Sequence, residues 1–287
     1  WISRKGAPTI ALSDVSVKET SGKFIVRFKL SQMQDGDVFD LLIPVVSYLE
    51  GENTARLENI SFSKQGEYFS RIFDKRPLKI EIDPQFNVFR RLDRSEVPTS
   101  LSQIIGSRNG IIVLPKSSKN LKEYEDLAKM WNQMQAAQGM NLEIVFDAEI
   151  ESLPSDKAAW ILGFENKFAA AIQISKEYIE YFDEETAKKI NTAKNSGSLV
   201  YTLPNPKNNE LTIGFIGSNN PPAISSLSRK LLHYGKYGYL AFEGDGATNT
   251  LTGTFPIIAS PLIYTFKYGG QTPKIDAKLE PRKALVY

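Results

Sequence analysis

Phe24, Val26, Phe28 and Leu30 alternate along the chain with Arg27 and Lys29. A period of two sends one set of side chains into a core and the other into water, so this run predicts a strand, although Ile25 interrupts its polar side. Phe39, Leu41, Ile43 and Val45 repeat with the same period, as do Leu78, Ile80 and Ile82 against Lys79 and Glu81. Residues 57–62 and 67–73 read as two further strands between them. The breaks carry turn residues around Gly22, Gly36, Gly51 and Gly66. Short strands in close succession, with no helical pattern among them, predict an antiparallel β-sandwich of immunoglobulin-like or fibronectin-like type over residues 1–83.

Beyond residue 100 the period changes. Residues 110–114 (Gly-Ile-Ile-Val-Leu) form a short apolar run of the kind found in a sheet covered on both faces. Leu121, Tyr124, Leu127, Ala128, Trp131 and Met134 then follow the three-to-four spacing of an amphipathic helix. Residues 142–146 and 159–163 are the next apolar runs. A helix is predicted to start near Asp183, where Asp183, Glu184 and Glu185 suit the positive end of the helix dipole. Residues 199–201 and 211–216 read as strands, and 223–232 as a helix entered through Pro221 and Pro222. Strands separated by helices predict an α/β layered domain with a largely parallel sheet over residues 104–287. An Arg-rich segment punctuated by Pro84 and Pro98, residues 84–103, links the two. The fold class is therefore multi-domain, β plus α/β.

The chain has 287 residues, room for about two domains of ordinary size. Its 35 basic and 33 acidic side chains leave a net charge of +2, which gives no electrostatic reason to expect nucleic acid or an anionic membrane as partner. No apolar run reaches the ~18 residues of a membrane span. The opening residues carry neither an initiator Met nor a signal-peptide pattern, and read as a cut within a longer protein. The absence of Cys excludes thiol chemistry and suits either the cytoplasm or the bacterial envelope. A single histidine, His233, cannot furnish the ligand set of a zinc hydrolase, so no catalytic or metal-binding residue is assigned.

A few places merit weighing for chemistry. Residues 214–222 run from a strand into a helix, and amides at Gly217, Ser218 and Asn219 suggest an anion-holding turn. The two prolines there remove donors, which favours an ordinary capped turn. His233 sits at a predicted helix end with Gly235 in the left-handed position beyond it. Tyr234 and Lys236, with Tyr237 and Tyr239, suggest a substrate shelf, or the lining of the strand that follows. Glu177, Glu180, Asp183, Glu184 and Glu185 read as a solvated helix face, and residues 244–249 as a hairpin turn. Arg90, Arg91 and Arg94 beside Phe86, Phe89 and Asp93 read as a cluster pinning one domain to the other.

Several of these residues belong to a larger pattern. Trp1, Arg4, Gly6 and Pro8 open a β-rich segment. Asp83 and Pro84 lead into Phe86, Val88, Phe89, Arg90, Arg91 and Leu92, followed by Glu96, Val97 and Pro98 and by Leu101, Ser102 and Gln103. His233, Tyr234, Gly235, Lys236 and Tyr237 follow later, with Asn249 and residues 253–256 ahead of Ser260, Pro261 and Leu262. This arrangement resembles the C-terminal region of bacterial aminopeptidase N-like (gluzincin) metallopeptidases, over essentially the whole chain. In that family a zinc-binding catalytic domain precedes a β-sandwich, and an α/β module follows. The family's H-E-x-x-H helix and downstream Glu have no match here, so the resemblance transfers no catalytic residue. It implies zinc only in an N-terminal catalytic domain, which would be this chain's partner.

The expected function is that of a non-catalytic accessory region, packing on such a catalytic domain or shaping access to it. The alternative is a module that holds a small ligand or peptide at the C-terminal edge of the α/β strands, near Gly163, Gly217 or Pro204. A third reading, an independent hydrolase, needs His233 in a cleft with a hydroxyl and a carboxylate within reach.

Overall fold

The computed structural model describes residues 5–282, so Trp1 and Arg4 of the family-like pattern lie outside the described residues. The strands in chain order are β1 (Ile10–Thr20), β2 (Lys23–Gln32), β3 (Leu41–Leu49), β4 (Arg56–Phe62), β5 (Gly66–Phe73) and β6 (Pro77–Ile82). Then come helix α1 (Leu101–Ile105), β7 (Asn109–Leu114), α2 (Leu121–Ala136), β8 (Asn141–Phe146) and β9 (Ala158–Leu162). The chain continues through α3 (Lys176–Ile179), α4 (Glu184–Ser196), β10 (Ser198–Asn205), β11 (Asn208–Ser218) and α5 (Pro221–Lys230). It closes with β12 (Tyr239–Glu243), β13 (Thr248–Gly253) and β14 (Ile263–Thr265). Two compact units result: one runs to Glu96 and resumes at Ala259, and the other spans Val97–Ile258.

In the first unit a three-stranded sheet, β1-β2-β5, and a four-stranded sheet, β14-β6-β3-β4, are both antiparallel. The period-two residues explain their packing. Val26, Phe28 and Leu30 of β2 meet Ile43 and Val45 of β3, Phe62 of β4 and Ile80 and Ile82 of β6 in one core. A second, smaller apolar cluster lies apart from this core, and the chain's own late segment covers it: Ile275, Ala277 and Leu279 pack on Val46, Tyr48 and Leu78.

The sequence pattern predicts a linker over residues 84–103 and an α/β domain over everything beyond. The structure returns residues 259–282 to the sandwich instead, because β14 pairs with β6, Tyr264 opposite Ile80. Residues 84–96 fold back as well. Arg90, read as pinning one domain to the other, has its guanidinium spent inside the first unit on Asp83 and Glu96, at 2.9 and 2.7 Å. Ser260 donates to Glu96 at 2.6 Å.

The second unit is a seven-stranded sheet, β13-β12-β10-β11-β9-β7-β8, with alternate residues feeding a core on each face. Ile112, Trp160 and Ile216 face α1, α2 and α5, whereas Val113, Ile161 and Phe215 face α3 and α4. On α2 the buried positions are Tyr124, Leu127, Ala128, Trp131 and Gln135, close to the predicted stripe, with Gln135 in the slot expected of Met134.

The expectation of a largely parallel sheet needs correction. Only β8, β7, β9 and β11 run parallel, and β10, β12 and β13 join by antiparallel pairing. The reason is connection length. Asn205 and Asn208 pair across a two-residue turn, Pro206 and Lys207, and residues 244–247 join β12 to β13 as the anticipated hairpin. Connections so short cannot cross over the sheet, so both pairs must be antiparallel. The end of α5 also differs from expectation. Its last turn tightens into a 3₁₀ turn over Leu231–His233, and Gly235 lacks the positive φ of a left-handed cap. Its carbonyl instead accepts from the Ser102 amide at 2.8 Å.

Candidate functional site

The carboxyl ends of the parallel strands lie where α/β sheets ordinarily bind ligands. Asp147, which follows β8 directly, is buried, and its two carboxylate oxygens accept from the Lys116 and Lys167 amides, both at 3.0 Å. One side chain thus ties together the loops that leave β7, β8 and β9. Asn166 tightens the same edge by donating to the Val113 and Leu162 carbonyls at 3.0 and 3.1 Å and accepting from the Phe168 amide. Gly163 starts this loop at φ +86°, a conformation that L side chains rarely adopt.

The fixed loop sets Phe164 against β11. A side chain at Gly217 would come within 2.5 Å of the Phe164 ring, so the glycine makes the room in which that ring lies. Phe164 then forms one wall of a cavity of about 510 Å³ on the α4 face of the sheet. Its floor is Leu199, Tyr201 and Phe215, and Ala169, Phe182, Ala187 and Ile190 add apolar surface from the helical side. The floor rings are stacked, with Tyr201 and Phe215 centroids 4.9 Å apart at 26°, and Phe164 leans on Phe215 at 5.6 Å. Burial raises the Tyr201 hydroxyl's pKa well above the usual phenol range.

The lining also carries polar groups. Gln173, Asn191, Asn195 and Asn219 contribute amides, and Lys194 is the one charged lining residue. Asn219 donates to the carbonyls of Lys194 and Asn195 at 3.0 and 3.1 Å, which caps the end of α4. Among the described lining residues there is no carboxylate, imidazole or aliphatic hydroxyl. Such a lining can enclose and orient a small molecule.

The residues singled out in the sequence separate clearly. Asn219 lines the cavity, Gly217 shapes it through Phe164, and Gly163 begins the loop that carries that ring. Ser218 is buried beside it as a hydrogen-bond hub. Its amide donates to the Tyr124 hydroxyl at 3.0 Å, and its hydroxyl meets that of Ser198 at 2.7 Å. The Asn219 amide goes to the Gly197 carbonyl and that of Asn220 to the Ser218 hydroxyl, so this turn keeps no amide for an anion. Pro204 is exposed near the hairpin turn.

His233, Tyr234 and Lys236 belong to the other side of the sheet. Tyr234 packs edge-on against Phe242 at 5.6 Å, and Lys236 lies over the Tyr237 ring at 5.0 Å. His233 is exposed, and among the described residues no hydroxyl or carboxylate bonds to it, which removes the geometric basis of a triad. Glu177, Glu180, Asp183, Glu184 and Glu185 are exposed as well, and Asp183 caps α4 by accepting from the Thr186 amide at 2.7 Å. Among the described residues no helix is long and apolar enough to cross a membrane, and no three His, Asp or Glu side chains converge as metal ligands do.

Asp147, Asn166, Phe164 and Tyr201 were not singled out in the sequence. A polar residue directly after an apolar strand run, as Asp147 stands after residues 142–146, was the available signal. No family model and no curated protein matches this chain.

Proposed function

We propose that this chain is a non-catalytic binding module, in which the α/β unit holds a small ligand and the sandwich acts as a scaffold. The cavity between the floor of β10 and β11 and the roof of α4 carries this reading: its volume falls in the range of small-molecule sites, about 300–1,000 Å³. Its composition, aromatic and aliphatic with a few amides and Lys194, is that of a small-molecule binding site. Thermal unfolding of the full chain against a panel of small organic acids, amines and neutral aromatics tests the proposal. A true ligand at a hundredfold excess over its Kd stabilises by about 2.7 kcal/mol and raises the transition of the α/β unit. A panel that leaves that transition unmoved rejects it.

A second reading concerns the first unit, which we propose is of immunoglobulin or fibronectin type. Its first, second and fifth strands share one sheet, and the third, fourth, sixth and last share the other. Asp83, Arg90, Glu96 and Ser260, all part of the resemblance to metallopeptidase C-terminal regions, meet in one buried network of this unit. That supports a buttress role for the sandwich beside an N-terminal zinc-bearing catalytic domain. Zinc content and aminopeptidase activity, compared between this chain and a longer polypeptide extended N-terminally, test it. Metal and activity in the longer form alone are expected, and their absence there rejects the accessory role.

A further inference from the structure

The cavity's floor, its charge and one unpaired hydroxyl together narrow the class of ligand. Three aromatic rings line the floor and wall, with Phe215 in contact with both Phe164 and Tyr201. Rings so arranged present faces and edges that suit a further planar ring better than a flexible chain. Tyr201 is only 5% exposed, and its hydroxyl bonds to no protein group among the described residues. The hydroxyl is not fully enclosed by protein, so it stays open at the cavity lining to a ligand's acceptor or donor in place of water. Lys194 makes no ion pair among the described residues, and no acidic side chain lines the cavity to oppose an anion. The amides of Asn191 and Asn195 supply further donors in the same stretch of helix.

We infer that the cavity selects an aromatic monocarboxylate, its ring laid against Tyr201 and Phe215 and its carboxylate paired with Lys194. The inference rests on the reading of this cavity as the ligand site. Three selectivities follow from it. A carboxylate is preferred to the matching amine, an aromatic body is preferred to an aliphatic chain, and both preferences depend on residues of the lining.

Isothermal titration of the full chain with indole-3-propionate, tryptamine and decanoate tests each of these separately. Indole-3-propionate is expected to bind one to one, more tightly than either of the others. Lys194→Glu is expected to weaken it on the order of five- to tenfold, the effect of losing and reversing one exposed ionic contact. Tyr201→Phe is expected to weaken it by roughly three- to tenfold through the lost hydroxyl. Ala187→Trp, which fills the cavity, is expected to abolish binding. Ala170→Phe, at an exposed lining position, carries the same test if Ala187→Trp does not fold. Equal binding of indole-3-propionate and tryptamine, unchanged by Lys194→Glu, overturns the charge assignment while leaving the cavity as the site. Tighter binding of decanoate overturns the aromatic preference. Binding of none of the three rejects the aromatic-carboxylate class, and the wider ligand panel then decides whether the cavity binds anything. Binding that survives both filling variants places the ligand elsewhere and removes the cavity reading itself.

Discussion

Arg90 holds a buried ionic network in the first unit. Its guanidinium is buried, with Asp83 on one edge and a two-pronged contact to Glu96 on the other, at 2.9 Å and at 2.7 and 3.0 Å. Removing it strands two buried carboxylates. Arg90→Ala is expected to destabilise the unit by about 3–5 kcal/mol, the range for breaking a buried pair from one side. Arg90→Lys is expected to recover little of that, because an ammonium cannot reproduce the planar fork. Denaturant titration of the sandwich transition measures both. The network also sets a pH dependence. Burial works against the charge on Glu96, yet hydrogen bonds from Arg90, Ser260 and the Asp93 amide outweigh it and hold its carboxyl below the usual range. A carboxyl depressed in the folded state lends stability above its unfolded pKa of about 4.3 and loses it as the pH falls through the lower folded value. The sandwich is therefore expected to weaken below about pH 4, with a shallower acid slope in Glu96→Gln. Gly217 is the corresponding residue of the second unit. Gly217→Ala is expected to displace Phe164 and reshape the cavity, seen as lost ligand binding with the fold retained by circular dichroism.

At the scale of elements, α2 and α5 share a hydrogen bond that apolar packing does not replace. Trp131 donates its indole N–H to the Ser228 carbonyl at 2.7 Å while its ring tilts against Trp160 at 4.9 Å. Trp131→Phe keeps an aromatic ring but leaves that carbonyl without its donor, and is expected to cost about 1–3 kcal/mol in the α/β unit. Elements such as α2 were legible because a single stripe of side chains faces one core. The strands β2 and β3 were legible because alternate residues do. In β6 only Ile80 and Ile82 keep the stripe, and Leu78 leaves it for the other cluster at the register shift beside Tyr48 and Leu49. β1 was not, because a bulge between Ser13 and Ser16, with Asp14 at φ +50°, breaks its period of two. β14 is three residues long and finds its partner far back in the chain, so no local pattern marks it. The cavity was hidden for another reason. Tyr201, Phe215 and Phe164 sit in strand-and-loop text that reads as core, and whether a buried ring meets another side chain or open space is settled only by packing. Gly163, Gly217 and Asn219 pointed to the right edge of the sheet, whereas His233, Tyr234 and Lys236 drew attention to the opposite face.

For the whole molecule, the chain order carries a consequence of its own. The α/β unit interrupts the sandwich between β6 and β14, and the sandwich closes only after Ile258. The points at which the chain leaves and re-enters the sandwich are held together, since Ser260 bonds directly to Glu96 at 2.6 Å. A junction already closed in this way needs only a short bridge. Replacing residues 97–258 by a few Gly and Ser residues is therefore expected to leave a folded seven-stranded sandwich, with β-type circular dichroism and a cooperative unfolding transition. Ending the chain at Ile258 is expected to do the opposite. It removes β14 from the sheet edge and strips the cover of Ile275, Ala277 and Leu279 from Val46, Tyr48 and Leu78, exposing apolar strand surface. The two outcomes discriminate between an insertion and a tandem arrangement. If the two units were simply strung one after the other, the truncated chain would keep its sandwich and the internally deleted one would gain nothing from residues 259–282. Folding of the deletion variant together with collapse of the truncation variant is the result the strand pairing requires.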